Sequence, residues 1–246
     1  MKVAAYQAPL LPAGSRDAAG LIRAQVTWCE AQGIGVLCCP EAVLGGLADH
    51  VERPAEIALD ADALRRAVLP LASDTVTVVI GFTEIEGSGR LYNAAAVVQQ
   101  GAVTGVYRKQ HPAIRRSVYD AGDQTPVFRI DGLTFGIVIC NDSNFPDLAA
   151  AMAAQGATAL LVPTNNALPL ARGGAELPAQ ATKVDVATAT ANRLWVVRAD
   201  VAGRANGLIS YGSSAIIDPQ GRVVSAAQAL RNDLIVADIP PRKADH

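Results

Sequence analysis

Thr134-Phe135-Gly136-Ile137-Val138-Ile139-Cys140-Asn141-Asp142-Ser143-Asn144-Phe145-Pro146 is an apolar run that ends on a cysteine and breaks at once into small polar residues. The pattern predicts a buried strand, a tight turn, and a helix opening at Pro146, whose missing N–H falls among the unpaired donors of a first helical turn. Asn141, Asp142, Ser143 and Asn144 supply turn chemistry and candidate caps. A thiol at such a junction sits where backbone N–H groups converge. That setting lowers its pKa and offers donors for an oxyanion, which makes Cys140 a candidate nucleophile. A cysteine on a core strand is also commonly a small hydrophobe, so the stretch alone leaves both readings open.

Outward from this junction the chain alternates apolar runs with helical patterns. Met1 to Ala8 reads as a first strand and Ser15 to Gln32 as a helix closed by Gly33. Gly35 to Pro40 is a second buried strand that delivers Glu41 at its end, where functional groups of α/β proteins gather. Ala55 to Leu71 predicts a second helix with Pro70 near its end. Strands follow at Thr75 to Gly81, Leu91 to Gln99 and Val103 to Tyr107, and the last arrives at Arg108-Lys109-Gln110-His111. Gln124 to Ile130 and Leu133 to Ile139 form a hairpin around Asp131-Gly132. Beyond Cys140 an Ala-rich helix ends at Gly156, Thr158 to Val162 is a strand, and Pro163 to Gly174 is a loop. Glu176 to Arg193 is a helix. Strands at Leu194 to Asp200, Ser213 to Ile217, Arg222 to Ser225 and Leu234 to Ile239 complete the chain. This mixture predicts two sheets with helices on their outer faces.

Composition narrows the function. The chain has 246 residues, half of them hydrophobic and only 4% aromatic, which is enough to bury a substantial core of Ala, Val, Leu and Ile. Its net charge is −2 without a long basic run, so neither nucleic acid nor an anionic membrane is an expected partner. No stretch has the length of a transmembrane helix, and the first strand is too short for a signal peptide. Four sparse cysteines, two of them adjacent, argue against a disulfide framework and for a reducing cytoplasm. Three histidines, none at a familiar metal spacing, lead us to expect no metal and no cofactor.

Glu41, Lys109 and Cys140 each follow directly on a strand-like run, so a shared sheet edge could bring them into one pocket. The chemistry would be complete. A thiol attacks a carbon bonded to nitrogen, a carboxylate moves its proton to the leaving amine, and an ammonium holds the oxyanion.

The order Pro40-Glu41 with Gly46, then Tyr107-Arg108-Lys109-Gln110-His111, then Gly136 to Pro146 around Cys140 resembles the nitrilase superfamily of carbon–nitrogen hydrolases. Leu91-Tyr92-Asn93-Ala94 and Gly212-Ser213-Ser214 with Asp218-Pro219-Gln220-Gly221 add to the likeness, which covers almost the whole chain. The resemblance implies a four-layer αββα sandwich formed by one domain over residues 1–246. It implies Glu41 as base, Lys109 as electrophilic stabiliser and Cys140 as nucleophile, with the backbone N–H of Asn141 as second oxyanion donor. It also implies a homodimer or higher oligomer.

The chain departs from the family in places. Many members carry a second glutamate seven residues before the glycine matched by Gly122, and here that position is Arg115. A cation cannot orient an ammonium, so Asp120 or Asp142 would take over or the pocket is built differently. The family's later Glu-Asn pair is Ala191-Asn192, and its aromatic after the glycine is Leu47. A narrower expectation is that Arg115 or Arg116 binds a substrate carboxylate, against the reading of both as surface arginines. His111 is expected to support the lysine loop by hydrogen bonding. Pocket walls are expected from Gly46 to Pro54, Pro112 to Asp123 and Pro163 to Leu177.

Three functions compete. The first is a thiol-dependent amidohydrolase of a small amide or carbamoyl compound. The second is a nitrilase, placed behind it because nitrilases proper resemble longer chains, whereas this one stops soon after Ile239. The third is a binding protein that has retired the chemistry, motivated by Arg115.

Overall fold

The computed structural model describes residues 1–240, so residues 241–246 of the expected domain lie outside the described residues. Two mixed sheets stack face to face. The first runs β5 (Ala102–Arg108), β4 (Leu91–Gln99), β3 (Thr77–Ile85), β2 (Val36–Cys38), β1 (Lys2–Pro9), β11 (Val201–Ala205), β12 (Leu208–Ser210) and β9 (Leu168–Pro169), with β15 (Asp233–Asp238) antiparallel to β1. The second runs β14 (Val223–Ala226), β13 (Ala215–Ile217), β10 (Trp195–Ala199), β8 (Ala159–Pro163), β7 (Leu133–Ile137) and β6 (Val127–Ile130).

Both faces of the central strands are buried, which is why they read as unbroken apolar runs. On β1, Val3 and Ala5 belong to the core that contains Phe135 and Ile137 of the second sheet. Ala4 and Tyr6 turn the other way and pack with Ile22 and Val26 of α1 (Ala18–Gln32) and Leu64 and Val68 of α2 (Ala61–Val68). The second sheet is covered by α3 (Pro146–Ala154) and α4 (Leu177–Asn192), through Leu148, Met152 and Ala189. The result is the four-layer αββα order expected from the sequence. No helix among the described residues is long and apolar enough to cross a membrane.

Local signals act as expected at several points. Gly33 closes α1 in the left-handed region at φ 65°, Pro146 opens α3, and the Asp131-Gly132 turn has φ values of 34° and 85°. The second helix is shorter than expected, because Leu59 is drawn into pairing with β3 (Leu59 N donates to Thr83 O, 2.8 Å). Asp60 then caps α2 by accepting from Ala63 N at 2.7 Å, and Pro70 sits in a separate 3-10 turn. Strands β9, β11 and β12 carry no alternating pattern and were not expected.

Strand direction matters most for function. β1, β2 and β3 are parallel, and β5 lies two antiparallel steps from β3, so β2 and β5 end at the same edge. In the second sheet β7, β8 and β10 are parallel to one another. Residues following these five strands therefore collect at two strand-end edges, where α/β proteins place their sites.

Candidate active site

Those two edges face each other. Glu41 N donates to Thr164 O (3.3 Å) and Asn165 N to Glu41 Oε2 (2.9 Å), which joins the turn after β2 to the turn after β8. The Glu41 turn needs unusual backbone: Ala42 has φ 47°, and it passes so close to β3 that a Cβ on Gly81 would collide with Pro40 O and Ala42 N. Gly81→Ala should therefore displace Glu41 and destabilise the fold by about 1–3 kcal/mol. A urea midpoint and a turnover rate both equal to the parent's would remove this account.

Lys109, 3% exposed, donates from Nζ to Glu41 Oε1 at 2.5 Å, and Glu41, 1% exposed, takes a further bond there from Asn93 Nδ2 at 2.7 Å. The lysine's backbone is held as well. Its N–H donates to Asn93 O (2.8 Å) and its carbonyl accepts from Gly122 N (2.8 Å). Burial works against the Lys109 charge, but the adjacent Glu41 carboxylate outweighs it and holds the ammonium above the ordinary lysine range.

Cys140 follows β7 in a 3-10 turn, Cys140–Asn144, and has φ 47°, a strained value for a residue with a Cβ. Asp142 pins that turn to the lysine loop. Its wholly buried carboxylate accepts from Ile139 N (3.1 Å) and Tyr107 OH (2.8 Å) with Oδ2, and from Gln110 N (3.2 Å) and His111 N (2.8 Å) with Oδ1. Asn141 Nδ2 donates to His111 O at 3.1 Å, and the His111 ring stacks on Phe145 with centroids 3.4 Å apart. His111 thus braces the loop through its backbone and a ring stack rather than through the side-chain hydrogen bond expected of it. Beneath the turn lies Arg198, buried and paired through both arms with Asp185 of α4 (2.6 and 2.5 Å). Arg198 also donates to Thr164 Oγ1 (2.7 Å) and to Ser143 Oγ (3.0 Å), and Ser143 Oγ donates to Cys140 O (2.8 Å).

Two sequence expectations need correcting. The thiol of Cys140 was expected to have a lowered pKa, but burial, aided by the Glu41 carboxylate, pushes it up to about 12 against the pull of Lys109 and Arg198. That shift favours the protonated thiol, and Glu41 is the carboxylate beside it that can take the proton. Arg115 was expected to reach the pocket. It lies exposed in a turn closed by Ser117 N donating to Ile114 O (3.1 Å) and is not among the residues that line the cavity. Of the acids considered for the missing glutamate, Asp120 is exposed, while Asp142 holds the lysine loop through backbone rather than through Nζ. Asn93, in the Leu91-Tyr92-Asn93-Ala94 match, is the side chain that shares Glu41 Oε1 with the lysine.

Glu41, Lys109 and Cys140 line one cavity of about 770 Å³. Its outer wall includes Leu47, Ile114, Leu168 and Leu177, drawn from the three loops expected to form it, with Arg172 and Glu176 also on the lining. Thr164, Asn165, Asn166 and Asp200 were not singled out from sequence. They follow β8 and β10 as Glu41 follows β2, so the signal was present. Among the described residues no three His, Cys, Asp or Glu side chains come together to hold a metal.

Comparison with known proteins adds the following. A family model described as carbon-nitrogen hydrolase matches residues 2–245. A Pseudomonas protegens protein described as "Hydrolase in pqqF 5'region" is 32% identical over 235 residues, 92% of this chain and 79% of that one. An (R)-stereoselective amidase from Pseudomonas sp. is 30% identical over 197 residues, 78% of this chain and 68% of its own. A structure of a Glu-to-Gln mutant of the Nesterenkonia sp. AN1 amidase, with acrylamide joined to its active-site cysteine by Michael addition, superposes with a TM-score of 0.82. It is 25% identical and covers 98% of this chain and 93% of its own.

Proposed function

This chain belongs to the carbon–nitrogen hydrolase family, and from that premise we propose that it is a thiol-dependent amidohydrolase of a small amide or carbamoyl compound. The observation that carries the reading is the Lys109–Glu41 ion pair at 2.5 Å in the cavity that also holds Cys140. The thiol proton of Cys140 passes to Glu41 as sulfur bonds to the carbonyl carbon, and the carbonyl electron pair moves onto oxygen. Lys109 and the backbone N–H of Asn141 hold that oxyanion. When it collapses, the C–N bond breaks and ammonia or an amine leaves with the proton from Glu41, giving a thioester. Water then adds to the thioester carbon, its proton going to Glu41. The C–S bond breaks, sulfur recovers the proton, and the acid departs.

Two amidases among the compared proteins support an amide substrate, a Pyrococcus abyssi nitrilase 30% identical over 174 residues supports the nitrile alternative, and the addition of acrylamide to the Nesterenkonia cysteine supports a nucleophilic role for Cys140. Assembly as a homodimer or higher oligomer, and a cytoplasmic setting suited to four unpaired cysteines, belong to the same proposal; light scattering and fractionation test them. The deciding experiment is ammonia release from short amides, ω-amidated acids, carbamoylated amines and nitriles, by native protein and by protein carbamidomethylated at Cys140. Amide turnover lost on modification is expected. Turnover of nitriles with no amide accepted would reverse the order of substrates.

A further inference from the structure

One side chain in the cavity touches the sulfur of Cys140, and the mechanism above gives it no work. The Oδ1 of Asn166 accepts from the Cys140 thiol at 3.6 Å. Asn166 is itself fixed on three sides. Its Nδ2 donates to Asp200 Oδ2 (3.2 Å) and Ser213 Oγ (3.1 Å), and its backbone N–H donates to Asp200 Oδ1 (3.1 Å). Asp200 is fully buried and receives further bonds from Val201 N (2.8 Å), Ser213 N (3.0 Å) and Ser213 Oγ (2.6 Å).

This arrangement decides which way the amide faces. Every group around the Asp200 carboxylate is an N–H or O–H donor, so the Asn166 nitrogen must turn to Asp200 and the oxygen is left facing sulfur. We propose that Asn166, oriented by Asp200 and Ser213, is the positioning residue that holds the Cys140 thiol in its waiting rotamer and sets how readily it gives up its proton. The inference deepens the amidohydrolase reading and rests on Cys140 as its nucleophile.

The physical basis is short. Cys140 is partly open to the cavity, its other side packing on the core, so the Asn166 oxygen is the directional contact that sets the sulfur's rotamer on the open side. A bond accepted from the S–H favours the protonated form and must break as the proton passes to Glu41. The same contact therefore governs both the place of the sulfur and its ionisation.

The test uses the full chain with Asn166→Leu, which keeps the volume and removes the acceptor, and with Ser213→Ala, which loosens the amide while leaving Asn166 in place. The first readout is the rate of iodoacetamide alkylation of Cys140 against pH, which needs no substrate. In Asn166→Leu the profile should move to lower pH by about one unit, roughly tenfold faster alkylation below the midpoint. On the best amide found, kcat should fall roughly tenfold with KM little changed, the pattern of a lost transition-state arrangement. Ser213→Ala should shift both in the same direction by less. A folded Asn166→Leu with the parent's alkylation profile overturns the proposal, as does a change confined to KM. Should that variant not fold, an unshifted profile in Ser213→Ala overturns it. If no amide is turned over by the parent, the functional reading fails while the alkylation profiles still decide this one.

Discussion

Lys109→Ala should cost both activity and stability, whereas Cys140→Ala should cost activity alone. Lys109 is buried with Glu41, and removing one partner of such a pair strands the other charge in the interior, at about 3–5 kcal/mol. Turnover should fall on the order of 10²- to 10³-fold, the usual loss when an oxyanion donor is removed. Cys140→Ala removes the nucleophile, for which losses reach the order of 10⁶-fold, but it deletes only one weak hydrogen bond and should leave stability within about 1 kcal/mol. Urea unfolding and ammonia release on the two variants separate these outcomes. The double change Glu41→Ala, Lys109→Ala should be less destabilising than the sum of its parts, since the two groups strand each other. Simple additivity would mean that the 2.5 Å contact does not couple them.

The second large effect is alkaline. Burial pushes Cys29, Cys38 and Cys140 from an ordinary value near 9 up to about 12, and Tyr6 and Tyr119 from near 10 up to about 12. A folded pKa above the unfolded one means that the native chain keeps protons the unfolded chain releases. These groups therefore support the fold fully below pH 9 and withdraw that support as pH rises through 12. The thiols closed off from solvent, Cys29 and Cys38, each contribute a slope of roughly 1 kcal/mol per pH unit over that window, and the tyrosines join above pH 10. Urea midpoints measured between pH 7 and 10.5 should be level at first and then fall steeply. A midpoint that holds level to pH 10.5 would contradict the burial of these groups.

The residues that ended apolar runs were legible in sequence because strand direction alone carries them to a common edge. That rule singled out Glu41, Lys109 and Cys140 as candidates, and the motif resemblance joined them into a triad. Asn166 and Asp200 obey it equally and were passed over because amides and lone acids after a strand are common in solvated loops. Other features depended on pairing across the fold. Arg198 and Asp185 meet only when α4 settles on β10, and β11 and β12 exist because β1 offers an edge, not because Val201 to Ser210 alternate. The direction of the Cys140 shift was hidden for the same reason. It turns on how deeply the sulfur lies and how near Glu41 approaches, and neither distance is written in the turn residues.

Asp142 gives the site a division of labour. One carboxylate grips the cysteine turn and the lysine loop together, so the spacing of the reactive groups is set as one unit. Leu47, Ile114, Leu168 on β9 and Leu177 at the start of α4 also line the cavity, and none of them is held by the Asp142 carboxylate. The part of the cavity that shapes what enters is thereby built apart from the part that holds Glu41, Lys109 and Cys140 in register.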